Sequence, residues 1–326
     1  LNPNYALAYM WLGNLLFNQS RLEEAGEAFR KALQLDPLHV IVNINVARVE
    51  MFTGNFAAGL KHLDHAIELA PDSAHALARK SYWMSQYGYL DEALNSARKA
   101  VEIDESGVQN LVNLAYVHMV LGDLEAARAL IDQTIRSNPN NWQVHWLASE
   151  YYLLSNEYEL MDQYTSERLA ILLETGEKSR DLKVAYLSAG LAKLVNNQYQ
   201  LAVAYLDRAE RIEYQLEVAK ELQVKVLRAL AYEKNGQSNR ADSLIDESLE
   251  YSIRMGNQGW QEPDMVVNQA SVFAVKGDHE KALELLDKAV RLGYSQYLAL
   301  EHDPRWEELR DRQEFIQLVD SLKQPR

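Results

Sequence analysis

The chain of 326 residues contains no cysteine. Disulfide bonds, thiolate metal sites and cysteine catalysis are therefore excluded. The chain also lacks a run of basic residues, since 33 Lys and Arg stand against 47 Asp and Glu and give a net charge of −14. Nucleic-acid binding requires a basic surface. We therefore expect no nucleic acid to bind this region, and a basic or neutral partner instead.

Long apolar segments are missing as well. The most apolar helical stretch runs from Leu111 to Gly122 and includes Asn113 and His118. A membrane span needs about 20 apolar residues. We therefore expect no direct membrane insertion.

Catalytic motifs are also lacking. The sequence has no Gly-x-Ser-x-Gly, no Gly-x-Gly-x-x-Gly, no Walker loop and no His-Glu-x-x-His, each of which places reactive groups at a usable spacing. The best metal candidate is the pair His62 and His65 with Asp64, since residues three apart share a helix face. Both histidines lie beside packing positions on the predicted helix. This favours their interpretation as residues of a solvent-exposed helix face over a metal site. We expect no catalysis, no metal and no cofactor.

What the sequence does contain is a repeat of 34 residues. The tripeptide Leu1-Asn2-Pro3 recurs as Leu35-Asp36-Pro37 and as Leu69-Ala70-Pro71. Ser137-Asn138-Pro139 lies two periods further on. Such a fixed period is typical of repeat architectures, in which each unit is one supersecondary element.

Each period carries two helical stripes of apolar residues. In the first period one stripe precedes the break at Asn18-Gln19-Ser20 and the other follows it. Their members are Tyr9, Leu12 and Leu16, then Leu22, Ala25, Phe29, Ala32 and Leu33. Small residues such as Gly13 let antiparallel helices pack closely. Each period therefore predicts a helical hairpin.

The spacing lengthens after Trp142. The equivalent turn residues there are Asn156, Asn197, Gly236 and Gly277, which are 41, 39 and 41 residues apart. We predict four regular units in residues 1–141, four longer, degenerate units in residues 142–293, and a helical C-terminal cap in residues 294–326.

The pattern of the first period resembles the tetratricopeptide repeat. The matching residues are Tyr9, Leu12, Gly13, Leu16, Ala25, Phe29, Ala32 and Pro37. This resemblance implies an all-α, right-handed superhelical solenoid of helix-turn-helix hairpins. It also implies a non-catalytic scaffold that binds a protein or an extended peptide on its concave face.

In this family the first helix of each hairpin lines the concave groove. We predict that the binding residues are those on first helices that packing does not require. They are Asn14, Asn45, Arg48, Arg79, Tyr82, Asn113, Tyr116, Trp146 and Glu150. Amide, guanidinium and aromatic groups suit an extended peptide, because they bind its backbone, its carboxylates and its apolar surface.

The chaperone-binding members of the family hold a peptide carboxylate with two Lys, two Asn and an Arg. Asn14, Asn45 and Arg79 match the places of the two Asn and the Arg. Met10 and His75 stand where the two lysines should be. We therefore expect this clamp to be incomplete.

The first helices of the longer units are apolar where the earlier ones are polar. The residues concerned are Leu187, Leu191, Leu194, Val195, Val226, Leu227 and Leu230. They form either a buried core or a hydrophobic groove for an amphipathic helix, and burial is favoured.

Residues 294–326 resemble the closing block of tetratricopeptide arrays in bacterial multidomain proteins, including adenylate cyclases and membrane-anchored transcription regulators. This resemblance implies a soluble interaction module of a larger bacterial protein, in the cytoplasm or the periplasm. The alternative is a sensing C-terminal domain of such a regulator or cyclase, which responds to a ligand or a partner.

Leu1-Asn2-Pro3 matches the closing tripeptide of a preceding hairpin. We therefore expect the array to continue upstream. The first hairpin then presents a partly apolar outer face, which permits self-association in this chain.

Overall fold

A computed structural model describes residues 5–174, 176, 180–214 and 216–323, without the side chain of Trp142. Within these ranges the chain is helical and has no strand. The tripeptide Leu1-Asn2-Pro3 lies outside the described residues, so its interpretation as the end of a hairpin stays a prediction.

In the described part of the chain, eight helical hairpins follow one another, and a short helical segment comes after them. The helices are α1 Ala6–Asn18, α2 Leu22–Leu35, α3 Val40–Phe52, α4 Phe56–Leu69, α5 Ala74–Gln86, α6 Leu90–Ile103, α7 Val108–Val120, α8 Leu124–Ser137, α9 Trp142–Leu154, α10 Tyr158–Glu174, α11 Arg180–Val195, α12 Tyr199–Arg211, α13 Val218–Lys234, α14 Ser238–Asn257, α15 Pro263–Lys276, α16 His279–Leu292, α17 Tyr297–His302, a 3-10 helix Pro304–Leu309 and α18 Gln313–Leu322. Neighbouring hairpins pack side by side. The predicted all-α, right-handed superhelical solenoid is confirmed.

One backbone feature marks the turn of every hairpin. A residue with a left-handed backbone lies there, at Ser20, Gly54, Gly88, Gly122, Asn156, Asn197, Gly236 and Gly277. Glycine adopts this conformation without strain, and Asn tolerates it better than most residues. The predicted turn positions and their lengthening spacing are confirmed. The division of the chain at residues 141 and 293 stays a prediction.

The two helices of a hairpin cross where one of them carries a small residue. A β-carbon on Gly13 would lie 2.6 Å from the ring of Phe29, and one on Gly190 would lie 2.7 Å from Leu206. Both large side chains are fully buried. The close helix packing at these crossings therefore requires glycine.

The superhelix closes on itself through the loop between α14 and α15. Trp260 in this loop packs beside Phe17 and Phe52, with ring centroids 5.6 and 4.8 Å away. The backbone N–H of Gln261 donates to the carbonyl oxygen of Phe52 at 2.8 Å. Since Trp260 is only 2 % exposed, the loop belongs to the core of the first two hairpins.

A second contact joins the loop after α16 to the turn of the third hairpin. Gly88 and Gly293 both have a left-handed backbone. A β-carbon on Gly88 would lie 2.7 Å from the carbonyl oxygen of Gly293. The hydroxyl of Ser295 lies 3.5 Å from the carbonyl oxygen of Ser85. The turns of the second and third hairpins thus rest against the second half of the chain.

The apolar first helices of the longer units face the core. Six of their residues are at most 7 % exposed: Leu187, Leu191, Leu194, Val226, Leu227 and Leu230. Val195 is partly buried. The predicted burial is confirmed for these six side chains.

The C-terminal segment covers the last hairpin. Trp306 and Leu309 in the 3-10 helix and Phe315 and Val319 in α18 are at most 4 % exposed. They pack on the apolar side chains of α15 and α16. The predicted helical C-terminal cap is confirmed, in the form that a solenoid needs to end its core.

Replacing Trp260 with Ala tests the closure. Truncation of a buried tryptophan lowers the free energy of unfolding by about 3–5 kcal/mol. Loss of the contact also lets the two halves separate, so the radius of gyration increases. Denaturant unfolding and small-angle X-ray scattering measure these two effects.

The control is Ile253→Ala on α14, because the side chain of Ile253 is 61 % exposed. This variant should keep both the stability and the radius of gyration. Equal effects of the two substitutions would contradict the closure.

Candidate binding cavity

The closed superhelix surrounds a cavity of about 360 Å³ that is open to solvent over part of its boundary. Its wall comes from the first helices of the third to eighth hairpins, α5, α7, α9, α11, α13 and α15, and from residues 294–305. Since a water molecule occupies about 30 Å³ of liquid, the volume accommodates roughly a dozen waters. It also falls in the range of small-ligand pockets, and it offers room for a few residues of extended chain.

Six of the nine predicted binding residues line this cavity. They are Arg79, Tyr82, Asn113, Tyr116, Trp146 and Glu150. The other three, Asn14, Asn45 and Arg48, lie on α1 and α3 outside the lining. The structure therefore brings the residues of α5, α7 and α9 together, and the role of all nine in binding stays a prediction.

Equivalent positions 34 residues apart form a ladder along the concave side of the first five hairpins. Its members are Asn14, Arg48, Tyr82, Tyr116 and Glu150. Arg48 Nη2 donates to Asn14 Oδ1 at 2.9 Å, and its guanidinium carbon lies 4.0 Å above the ring of Phe17. Burial, together with the charge of Arg79, lowers the pKa of Arg48 to about 10. Arg48 therefore serves the packing of the first two hairpins.

A second set of amides connects neighbouring first helices. Asn113 Nδ2 donates to the carbonyl oxygen of Ala78 on α5 at 2.9 Å, and Asn113 Oδ1 accepts from Gln109 at 2.8 Å. Gln143 on α9 donates to Gln109 Oε1. Because Asn113 is only 6 % exposed, this residue fixes α7 against α5 as well as bordering the cavity.

Asp264, in the first turn of α15, borders the cavity and is held by neutral amides. With its amide in the orientation that satisfies both neighbours, Gln86 donates to the two carboxyl oxygens of Asp264 at 2.8 and 3.1 Å and accepts from Tyr116. Gln296 donates at 3.4 Å. Burial raises the pKa of Asp264 to about 6, because two neutral donors do not replace the water that the carboxylate loses.

Glu262 is a second buried carboxyl group in the cavity lining, immediately before α15. It is 4 % exposed, and neither carboxyl oxygen has a hydrogen-bond donor among the described residues. Burial raises the pKa of Glu262 well above its ordinary value, and the charges of Asp264 and Glu217 raise it further. A carboxyl group in this environment favours its neutral form.

Two cations of the cavity, Arg305 and Lys220, differ in their surroundings. Arg305 donates to both carboxyl oxygens of Asp303, at 2.6 Å from Nη2 to Oδ2 and 2.9 Å from Nε to Oδ1, so this buried pair is self-neutralising. Lys220 Nζ lies 4.7 Å from the centre of the Trp146 ring and donates to Gln223 at 3.2 Å. In the part of the chain that the structure describes, Lys220 has no carboxylate within ion-pair distance.

Sequence reasoning missed the charged and aromatic residues that come from the second half of the chain. Glu262, Asp264, Tyr294 and Lys220 line the cavity but lie far in sequence from the predicted set. The one local signal was the pair of acids around Pro263, which also fits an ordinary helix start. Only the closure of the superhelix brings them opposite α5 and α7.

The candidate metal pair has no support from its surroundings. His62 Nδ1 lies 3.3 Å from Asn43 Oδ1, and His65 Nδ1 lies 3.5 Å from Glu68 Oε2. Among the residues with described positions, no cluster of three or more His, Asp or Glu has a geometry that could hold a metal ion. Within the same ranges, every helix is too short or too polar to cross a bilayer.

A solenoid of helical hairpins whose first helices face one concave space is the architecture of tetratricopeptide repeat proteins. Comparison with protein families confirms such repeats in this chain. Two models, each described as a tetratricopeptide repeat, match residues 6–38 and residues 112–160. These two segments of the chain therefore carry tetratricopeptide repeats, a type of repeat typical of protein–protein interaction.

Individual relatives are distant. The protein CTR9 homolog of Arabidopsis thaliana is 24 % identical over 199 residues, which make up 59 % of this chain and 18 % of that protein. The chain thus corresponds to less than a fifth of the length of this curated relative. No activity or partner follows for this chain from such a partial match.

A solved structure agrees in fold. The crystal structure of the APC/C hetero-tetramer Cut9–Hcn1 is similar with a TM-score of 0.56 and 13 % identity, over 97 % of this chain and 55 % of that chain. A tetratricopeptide repeat protein from Parabacteroides merdae has 17 % identity and a TM-score of 0.49, over 87 % of this chain and 99 % of that chain. At such low identity, the first similarity supports the fold alone.

The pH dependence of stability tests the burial of Glu262. Because its pKa in the folded state is raised, the folded state binds this proton more tightly than the unfolded state does. The protein therefore loses stability as the pH rises above the pKa that Glu262 has in the unfolded chain. Replacing Glu262 with Gln removes this penalty, so the Tm should increase at pH 8 and stay unchanged near pH 4.

Glu250→Gln is the control, because Glu250 is exposed on α14 and carries the same charge. Thermal melts of both variants at the two pH values provide the comparison. A Glu262→Gln variant that melts like the control at pH 8 would show that the carboxyl group is not buried.

Proposed function

We propose that this chain is a non-catalytic scaffold that binds an extended segment of a partner protein inside the central cavity. The observation that supports this most is the convergence of six concave-face residues on one enclosed space. Peptide groups require paired donors and acceptors, and side chains require apolar surface. The wall offers both, through amides such as Gln109 and Gln143 and aromatic rings such as Trp146.

The wall also has the properties of an interaction hot spot. Tyr82, Tyr116 and Trp146 provide large, rigid surfaces at low entropy cost. They lie within the closed part of the superhelix, where water is restricted and polar contacts are strengthened. A segment that enters the cavity therefore replaces ordered water and contacts several hairpins at once.

The charge of the chain favours a basic partner. A net charge of −14 attracts basic segments over long distances and repels acidic ones. This attraction mainly accelerates association and weakens as the salt concentration rises. The contacts inside the cavity then determine how long the complex persists.

A photoreactive residue inside the cavity tests the proposal. We expect p-benzoylphenylalanine in place of Trp146 to form covalent adducts with a partner protein in cells of the source organism. Mass spectrometry of the adducts should locate the cross-link in one extended segment of the partner.

The same photoreactive residue in place of Ile253 is the control, since Ile253 is 61 % exposed on α14 and does not line the cavity. Adducts that form equally at both positions, or at neither, would argue against binding in the cavity.

Two broader proposals rest on the sequence of residues 294–326 alone. The first is that the scaffold is a soluble interaction module of a larger bacterial protein. The second is the sensor domain of a transcription regulator or cyclase, and no observation of the structure or the comparisons supports it. Sequencing of the gene on both sides of this region distinguishes the two.

Self-association is a second candidate function, and the surface of α1 favours it. Tyr5, Trp11 and Leu15 are 43, 60 and 55 % exposed. Trp11 and Leu15 are four residues apart and therefore share one helix face. Adjacent exposed apolar side chains of this size are typical of contact surfaces.

Sedimentation velocity measures this association. The sedimentation coefficient of the wild-type chain should rise with concentration, whereas a chain with Trp11→Ser and Leu15→Ser should sediment as a monomer. Ile253→Ser removes an equally exposed side chain elsewhere and should behave like the wild type. An unchanged concentration dependence in the double variant would refute the proposal.

A further inference from the structure

The cavity wall around Asp264 combines a carboxylate with an aromatic enclosure. Tyr82, Tyr116 and Tyr294 come from α5, α7 and the loop after α16. Burial raises the pKa of all three hydroxyl groups, and the nearby charge of Asp264 raises each further. The three rings therefore stay neutral around the carboxyl group. A negative charge between aromatic rings is the arrangement that recognises organic cations.

The described residues leave this carboxylate without a cation in contact. Its hydrogen-bond donors are the neutral amides of Gln86 and Gln296. Glu262, two residues away in the chain, is 4 % exposed, lines the same cavity and has no donor for either carboxyl oxygen. A buried and a partly buried carboxyl group this close in the chain destabilise the protein unless protons or cations compensate them. A positively charged ligand provides that compensation.

The chain itself places one ammonium group against an aromatic ring of this cavity. Lys220 Nζ lies over the Trp146 ring at 4.7 Å, and among the charged neighbours Lys220 contributes most to keeping Asp264 ionised. Lys220 makes no ion pair with Asp264. Lys220 lies at Trp146 on one wall of the cavity. The carboxylate of Asp264, on another wall, is thus left for a second cation.

We propose that the cavity binds an alkylammonium group against the carboxylate of Asp264, between Tyr82, Tyr116 and Tyr294. This rests on the proposed function, because it names the basic residue that a partner segment inserts. A lysine side chain of the partner and a free aliphatic amine both carry this group.

Several other charges face the site and set its pH dependence. They are Glu217 and Lys220 beside the start of α13, Glu150 on α9, Arg79 on α5, Arg180 on α11, Arg305 in the 3-10 helix with its partner Asp303, and Glu262. Arg305 is neutralised by Asp303. Protonation of Asp264 removes the charge that the ligand requires. Binding should therefore be weaker at pH 5 than at pH 7.5.

Titrations followed by NMR test the site on the intact chain. The probes are n-butylamine, Nα-acetyl-lysine methylamide and, as the neutral counterpart, Nα-acetyl-norleucine methylamide. Both amines should bind, and the norleucine compound should bind at least 10-fold more weakly. Tighter binding of the lysine compound than of butylamine identifies a peptide side chain as the source, and the reverse order identifies a free amine.

Two substitutions with opposite expected effects keep the test independent of folding. Asp264→Asn should weaken amine binding at least 10-fold. Lys220→Met, tested well above the pKa of Asp264 so that this carboxylate stays ionised without Lys220, should strengthen binding, because the competing intramolecular cation is gone. Asp246→Asn, on the exposed face of α14, is the matched control and should bind like the wild type. Equal affinities of the wild-type, Asp264→Asn and Lys220→Met proteins would overturn the inference.

Separate results would overturn the ammonium site and the proposed peptide-binding function. Partner adducts at position 146 that survive the Asp264→Asn substitution would overturn the ammonium site and leave the scaffold function in place. Amine binding that depends on Asp264, without any partner adduct, would overturn the peptide-binding function and identify the cavity as a site for a free amine.

Discussion

The packing of Trp260 beside Phe17 and Phe52 is the contact on which the rest of the structure depends. Residues more than 200 positions apart form one aromatic cluster there, with a ring distance of 4.8 Å between Trp260 and Phe52. Each hairpin adds only a small rotation to the superhelix, so an open array would leave its concave face in water. This contact, together with the approach of Gly88 to Gly293, turns the concave face into the wall of a cavity.

Closure also changes the electrostatics of the concave face. Carboxylates on an open groove are solvated, and their charges cost little. In the closed superhelix Asp264 and Glu262 lose water and gain few donors, which raises the pKa of both carboxyl groups. The stability that aromatic packing contributes at the closure therefore offsets the cost of holding acids in the cavity. Perturbed acids in an enclosed space are typical of functional sites, and this is why the cavity is the centre of the proposed function.

The parts of the fold that depend on local patterns could be predicted from the sequence. The turn residues from Ser20 to Gly277, the apolar stripes and the C-terminal cap follow from spacing, since each hairpin packs mainly on its neighbours. The position of Arg79 and Trp146 on the concave side could be predicted for the same reason, and their role in binding stays a prediction. Trp260 and Asp264 could not be found, because their contacts with the first half depend on the summed rotation of several hairpins. From the sequence alone, Asp264 is an ordinary acidic residue in the first turn of a helix.

The most direct test of the closed superhelix is a disulfide bond across the closure. A β-carbon on Gly54 would lie 3.6 Å from the β-carbon of Gln261, which is within the range for a disulfide, and the chain has no other cysteine. In a chain with Gly54→Cys and Gln261→Cys, mild oxidation should produce a monomeric, cross-linked species nearly completely. A chain with Gly54→Cys and Glu280→Cys should remain reduced. Failure of the first pair to oxidise, in a protein that still melts cooperatively, would contradict the closed cavity.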